Sequence, residues 1–231
     1  MQGGFFIFKF FCIVKNVMQE SFEQRKKRAR LILERLKKAY PNARIALVYG
    51  NNIQLLVAVM LSAQCTDKKV NEVTAELFKK YRTVEDFANA DRLTFEREIH
   101  SCGFYRNKAK HIISAAKMIR ERFGGKIPRT MEELLELPGV ARKTANVVLG
   151  NAYTIVEGIA VDTHVRRVSR HLDLTNENDP VKIEQDLMKV LNKRDWFDLT
   201  YLFIEYGRNV HTAKKPVPCA KGPLGGLCLK D

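Results

Sequence analysis

Glu136-Leu137-Pro138-Gly139-Val140-Ala141-Arg142-Lys143-Thr144-Ala145 is the stretch on which the reading of this chain turns. The apolar residues before and after it recur at helical spacing, so the segment is a hairpin between two helices. Pro138 ends the first helix, and Gly139 admits a backbone angle that other residues resist. The second helix then starts with its first N–H groups unpaired. Such amides, at the positive end of a helix dipole, make a seat for a phosphate. A plain connection between two helices has the same outline. What separates the two readings is Lys143 just past the turn and Asp162 in Ala160-Val161-Asp162-Thr163-His164-Val165. Asp162 suits the N-cap of a further helix, where the dipole favours the carboxylate.

Outward from the hairpin the chain reads as helix after helix, with no sustained period-2 pattern, and the fold class is all-α. Ser21 caps a helix that runs toward Tyr40 and stops at Pro41. Asn52 opens Ile53 to Leu61, apolar on nearly every side and therefore central to a core. Asp67 caps the next helix, with Val70, Val73 and Leu77 on one face. Thr83 with Asp86, and Asp91, start two short helices, the second closed by Gly103. A helix over Lys108 to Phe123 ends at Gly124-Gly125. Thr130 with Glu133 forms a capping box, and later helices begin near Thr144, Asp162, Asp179-Pro180 and Asp195.

Composition narrows the function classes. With 45% hydrophobic and 29% charged residues over 231 positions, the chain is neither disordered nor fibrous. It can bury a core without disulfide staples. The excess of 40 Lys and Arg over 26 Asp and Glu leaves a formal charge of +14, which points to a polyanionic partner such as a nucleic acid. Five scattered cysteines, Cys12, Cys65, Cys102, Cys219 and Cys228, do not make a disulfide framework and suit a reducing, cytoplasmic location. The apolar run Phe5 to Val14 is too short to span a bilayer and lacks the flanks of a signal peptide. Residues 1–18 are set apart as an extension, with the working start at Met18.

Four motifs in order then resemble one family. Leu61-Ser62-Ala63-Gln64-Cys65-Thr66-Asp67, Gly103-Phe104-Tyr105-Arg106-Asn107-Lys108-Ala109, LPGVARKTANVV and AVDTHVRRVSRHL are similar to the signatures of endonuclease III, a base-excision DNA glycosylase and lyase of the helix-hairpin-helix superfamily. The likeness runs over residues 20–228. It implies two helical lobes with DNA in the cleft between them. One, 45–156, is a six-helix barrel containing the hairpin; the other joins 19–44 to 157–231, with a cluster-loop remnant at 207–228.

The resemblance also implies chemistry. The activity is removal of oxidised pyrimidines from double-stranded DNA and cleavage of the abasic site by β-elimination through a lysine Schiff base. Lys143 is the nucleophile; an amine attacks only when neutral, and burial, the Arg142 charge and the helix N-terminus favour that form. Asp162 stabilises positive charge developing on the sugar. Gln64 and Phe104, the latter where Leu is usual, fill the stack after the base is flipped out. Leu137, Gly139, Ala141, Arg142 and Thr144 bind DNA around the hairpin, and Asp67 and His164 belong to the pocket. Arg106, Lys108, Lys110, Lys117, Arg120, Arg122, Lys126 and Arg129 supply phosphate contacts, whereas Arg25 to Arg30 form a solvated face. The chain acts as a monomer, without a membrane, in the cytoplasm and at the nucleoid if prokaryotic. The alternatives are the same scaffold with another specificity, for mismatched thymine or oxidised purine, and a non-catalytic DNA-binding module.

Two departures from the family pattern stand out. Relatives carry a [4Fe-4S] cluster on four cysteines, where this chain has His211, Cys219, Gly222 and Cys228. Two thiolates are too few, so the cluster is expected to be absent and no metal cofactor is expected. Zinc on His211, Cys219 and Cys228 lacks a fourth partner unless Asp231 serves. Ala141 replaces the second hairpin glycine, which is harmless in a helical position and strained at positive φ.

Overall fold

The computed structural model describes residues 20–229. The 1–18 extension with its Phe5 to Val14 run, Cys12, the start at Met18 and the Asp231 carboxylate lie outside the described residues. Eleven α-helices and three short 3-10 turns make up the described part, with no strand among those residues. They are α1 Phe22–Ala39, α2 Asn52–Leu61, α3 Asp67–Lys80, α4 Val84–Ala88, α5 Arg92–Glu98, α6 Tyr105–Arg122, α7 Met131–Glu136, α8 Arg142–Tyr153, α9 Thr163–His171, α10 Pro180–Val190 and α11 Trp196–Asn209.

Local chemistry explains most of the starts. Ser21 and Gln24, and Thr83 and Asp86, close reciprocal capping boxes. Asp91, Asp162 and Asp179 accept from the first-turn amides of their helices. Asn52 opens α2 as expected, with Asn51 as its cap, whose Oδ1 accepts from the Gln54 amide at 3.0 Å. Three expectations need correction. Thr66 caps α3, which leaves the Asp67 carboxylate free for a distant partner. The box at Thr130 is open on one side, because Glu133 takes the Thr130 hydroxyl proton rather than the backbone one. Helix α6 begins at Tyr105 rather than Lys108, since Phe104 turns into the left-handed region and offers its carbonyl to the Lys108 amide at 3.1 Å.

The helices enclose two hydrophobic cores. The first surrounds α2, whose residues Ile53 to Leu61 are all buried. Phe87, Phe95, Ile112, Ile119, Leu134 and Leu149 pack around it. The second joins Ile32, Leu33 and Leu36 of α1 to Val165, Leu172, Leu187, Leu199, Phe203, Tyr206 and Leu224. Arg28 corrects the solvated reading of α1. It is 7% exposed, pairs with Glu20 at 2.7 Å and donates to the carbonyls of Leu172 at 2.5 Å and Leu227 at 3.3 Å. A guanidinium carries five donors in a rigid fork, so it can serve several chain ends at once.

The seam between the cores is polar. Glu184 of α10, its side chain 4% exposed, receives Arg142 Nε at 2.6 Å and Nη2 at 3.2 Å. It also receives Asn146 Nδ2 at 3.0 Å and the Ile159 amide at 3.1 Å. Gly158 makes this possible, because a Cβ there would run into Glu184 Oε1. A buried carboxylate is tolerable only with its acceptor sites used, and here four donors use them. Asn151 Nδ2 adds a bond to the Tyr201 hydroxyl at 2.6 Å.

Candidate active site

The hairpin presents its helix start openly. Gly139 has φ +79°, and a Cβ there would sit 2.7 Å from His111 Cβ, so both conformation and space demand glycine. Ala141 settles its conditional reading, for it is extended, at φ −101° and ψ 169°, and is the N-cap of α8. That conformation suits Ala without strain. Ala offers no side-chain oxygen, and none caps α8, so the first-turn amides stay available to an anion.

The structure sorts the predicted hairpin contacts. Leu137 is 2% exposed and belongs to the first core rather than to a contact surface. Thr144 is half-buried in the first turn of α8, while Gly139, Ala141 and Lys143 are exposed. Arg142 gives its guanidinium to Glu184. Lys143 is thus exposed rather than buried as expected, and the neighbouring Arg142 charge is already paired. Among the described residues the Lys143 ammonium has no hydrogen-bond or ion-pair partner.

Lys143 and Asp162 line one cleft of about 630 Å³, together with Gln64, Asp67, His164 and Arg208. Asp162 Oδ1 accepts from the Val165 amide at 2.8 Å, so the carboxylate is held at the start of α9. The first core contributes Lys143 and the Gln64 loop, the second Asp162 and Arg208. Arg208 Nη2 reaches Asp67 at 2.5 Å across the cleft. His164 lies beside Arg167, with Nδ1 3.2 Å from Nη2. Burial pushes its imidazole below the ordinary value, opposed by the Asp162 carboxylate and assisted by Arg167.

Gln64 and Phe104 share a feature that the sequence does not announce. Both are non-glycine residues in the left-handed region, at φ 52° and 46°. Phe104 is 65% exposed and so is no core aromatic. Such conformations cost of order 1–3 kcal/mol each and collect at functional positions. Lys108 ties the two loops together. It is buried, not a phosphate contact, and its Nζ donates to the carbonyls of Leu61 and Cys102 at 2.8 Å each. Burial lowers its pKa from the ordinary lysine value, with Cys102 and Cys65 opposing. Other members of the basic stretch are also engaged: Arg120 with Glu85 and Glu121, and Arg122 with Glu136. Arg106, Lys110, Lys117, Lys126 and Arg129 remain as exposed cations, Arg129 lying over the Tyr153 ring.

The tail can be tested against the family's cluster. Cys219 and Cys228 are joined as a disulfide, with Cα atoms 6.2 Å apart, a single bridge and not a framework. The turn over residues 222–227 brings them together. Gly222 has no ligand atom, and Val210 Cγ1 lies 3.0 Å from where its Cβ would be. The His211 ring stacks on His171, centroids 3.8 Å apart at 12°. This donor set does not fit a four-ligand cluster. Glu184, Arg208 and His171 went unnoticed in the sequence. For Glu184 a faint signal exists, because it sits beside the Ile183 and Leu187 stripe of its helix.

Known proteins can be set beside this geometry. The HhH-GPD superfamily of base excision DNA repair proteins matches residues 57–193. Endonuclease III of Synechocystis sp. is 52% identical over 204 residues, covering 88% of this chain and 93% of that protein. A non-covalent endonuclease III–DNA complex superposes with a TM-score of 0.84 at 42% identity, over 89% of this chain and 95% of the other. A trapped endonuclease III–DNA covalent intermediate gives the same score and identity, over 89% and 96%.

Proposed function

The chain belongs to the endonuclease III family of the HhH-GPD superfamily, and from that premise we propose that it excises damaged bases from double-stranded DNA and then cleaves the abasic site. The observation that carries this reading is that Lys143 and Asp162, each in the first turn or at the cap of a different helix, line one cleft. The substrate class we assign is oxidised pyrimidine.

DNA lies along the uncapped start of α8, with the Gly139 turn allowing a phosphate close to the backbone. The exposed Lys110, Lys117 and Lys126 add contacts that do not read sequence. A base is extruded into the cleft, and Gln64 and Phe104 fill the stack it leaves. The Lys143 amine, once neutral, attacks C1′ of the sugar. The N–C1′ bond forms as the glycosidic bond breaks, and the departing base takes up a proton. Asp162 lies at the cleft to offset the positive charge that develops on the sugar. Opening of the sugar ring gives the iminium, which acidifies C2′–H. Loss of that proton expels the 3′ phosphate, and water then releases the lysine. The enzyme works without a metal in these steps, as a monomer in the cytoplasm. No described helix is long and apolar enough to cross a membrane.

Borohydride reduction tests the proposal. A duplex carrying an oxidised thymine, and one carrying an abasic site, are incubated with the protein, with Lys143→Ala and with Asp162→Asn. The expected result is a covalent adduct on both duplexes that disappears in Lys143→Ala. An adduct on the abasic duplex alone refutes the assigned lesion class. No adduct on either, with DNA still bound, refutes the catalytic reading.

A further inference from the structure

The two cysteines left at the cluster positions lie beside a third donor that the family pattern does not include. His171 ends α9, Cys219 opens the last 3-10 turn, and Cys228 follows the turn that returns to it. One imidazole nitrogen and both sulfurs lie within 4.8 Å of one another. Ligands about 2.0–2.3 Å from a common tetrahedral centre stand about 3.3–3.8 Å apart, so the imidazole nitrogen lies within reach of an ion held by the two sulfurs once their bond is reduced. His171 comes from α9 and the two cysteines from the tail, so the meeting of the imidazole with the sulfurs is tertiary rather than a by-product of sequence proximity. Cys219 is fully buried, and the Tyr206 hydroxyl stands 3.5 Å from its sulfur. A hydroxyl in that position donates to a ligating thiolate and orients it.

We propose that the reduced tail binds one divalent cation of the zinc class on His171, Cys219 and Cys228, with His211 as the fourth ligand, in place of the cluster. The nitrogen and sulfur donors are soft, and they select zinc over magnesium or calcium. His211 already lies against His171, and ligation requires its side chain to rotate out of that stack to present a ring nitrogen. The disulfide and the metal site are alternative states of the same pair. A dithiol reductant supplies two electrons, and two protons complete two thiols; binding the cation displaces both protons. The bound ion clips the tail to the end of α9. Arg28, on the Leu172 and Leu227 carbonyls, and Arg35, on the Gly225 carbonyl at 2.6 Å, extend the clip to α1.

The full chain, produced with iron and zinc both supplied and purified anaerobically under a dithiol, is assayed for metals, acid-labile sulfide and alkylated cysteines. The expected result is about one zinc per chain without iron or sulfide, as a closed four-ligand site requires. Cys219 and Cys228 then become alkylated only after a strong chelator is added. Cys228→Ser and His171→Gln each weaken zinc binding by more than about tenfold, the least that even an outer-shell change costs. In the cobalt-substituted protein, Cys228→Ser removes about half of the thiolate-to-metal absorption, one of the two sulfurs being lost. Iron with sulfide, a disulfide that persists without metal under the reductant, or zinc content unchanged in both variants overturns the proposal. Should either variant fail to fold, the chelator arm on the unaltered chain decides: thiols equally reactive before and after chelation overturn it. None of these readouts involves DNA, so failure of the repair reading leaves the metal result standing.

Discussion

Replacing Glu184 by Leu tests whether the polar seam holds the two cores together. The wild-type carboxylate accepts four hydrogen bonds, two from Arg142 and one each from Asn146 and the Ile159 amide. Leucine is of similar size and accepts none. The Arg142 side chain is 38% exposed and can turn to water, which limits its share of the loss. Asn146 and the Ile159 amide are buried and keep the full penalty of unsatisfied donors, about 1–3 kcal/mol each. The sum is about 2–6 kcal/mol, which brackets the cost of breaking a buried pair. For a chain of this size that lowers Tm by about 4–24 °C. Urea unfolding followed by far-UV circular dichroism measures the free energy, and calorimetry measures Tm. Glu184→Gln, which keeps one carbonyl oxygen, falls between Leu and wild type. A Glu184→Leu loss below about 1 kcal/mol refutes the argument, because the four bonds would then contribute no more than an exposed pair.

Other expectations follow from the site. Gly139→Ala meets both a positive φ and His111, so DNA binding weakens by at least about tenfold, equivalent to about 1.4 kcal/mol; a gel-shift or anisotropy titration at fixed salt measures it. Lys108→Met leaves the Leu61 and Cys102 carbonyls unpaired and loosens the loops of Gln64 and Phe104. It is expected to lower stability by about 2 kcal/mol and to reduce excision more than abasic-site cleavage, checked by denaturation and by paired kinetics on the two substrates. Phe104→Asn suits the left-handed region better than Phe and is expected to raise stability by up to about 1 kcal/mol while slowing base excision; unchanged excision counts against the stacking role. His164 has its pKa lowered by burial, so the neutral ring is the form the fold prefers. Its contribution is present above the ordinary value of 6.5 and is lost as pH falls below it. His164→Gln should flatten the fall of Tm with acidification in that range, and a parallel decline in both proteins rules the explanation out.

How much of this was legible in the chain differs from element to element. Helix starts at Ser21, Thr83, Asp91, Asp162 and Asp179 were readable because capping is local: a side-chain oxygen reaches an amide two or three residues away. The misplaced cap at Asp67 was a one-residue choice between adjacent polar residues. The start of α6 escaped for another reason. Phe104 takes a left-handed conformation that no local signal calls for, and the helix grows from its carbonyl.

The sequence by itself determined the helical class, the hairpin with its obligatory Gly139 and the charge that fits a polyanion, which depend on periodicity, backbone angles and composition. Gln64 and Phe104 came from the family resemblance, and Lys143 and Asp162 from the hairpin and the helix cap together with it. Only the tertiary structure decided which cations are spent inside the protein. Arg28, Lys108 and Arg142 are indistinguishable in sequence from Lys110 or Lys117, yet they end on buried carbonyls or on Glu184. It also decided that Lys143 and Asp162 share one cleft, and that His171, more than forty positions from Cys219, completes a set of soft donors. The physical reason is common to all of these: a buried donor or acceptor must find its partner wherever packing places one, and that place is set by the whole fold.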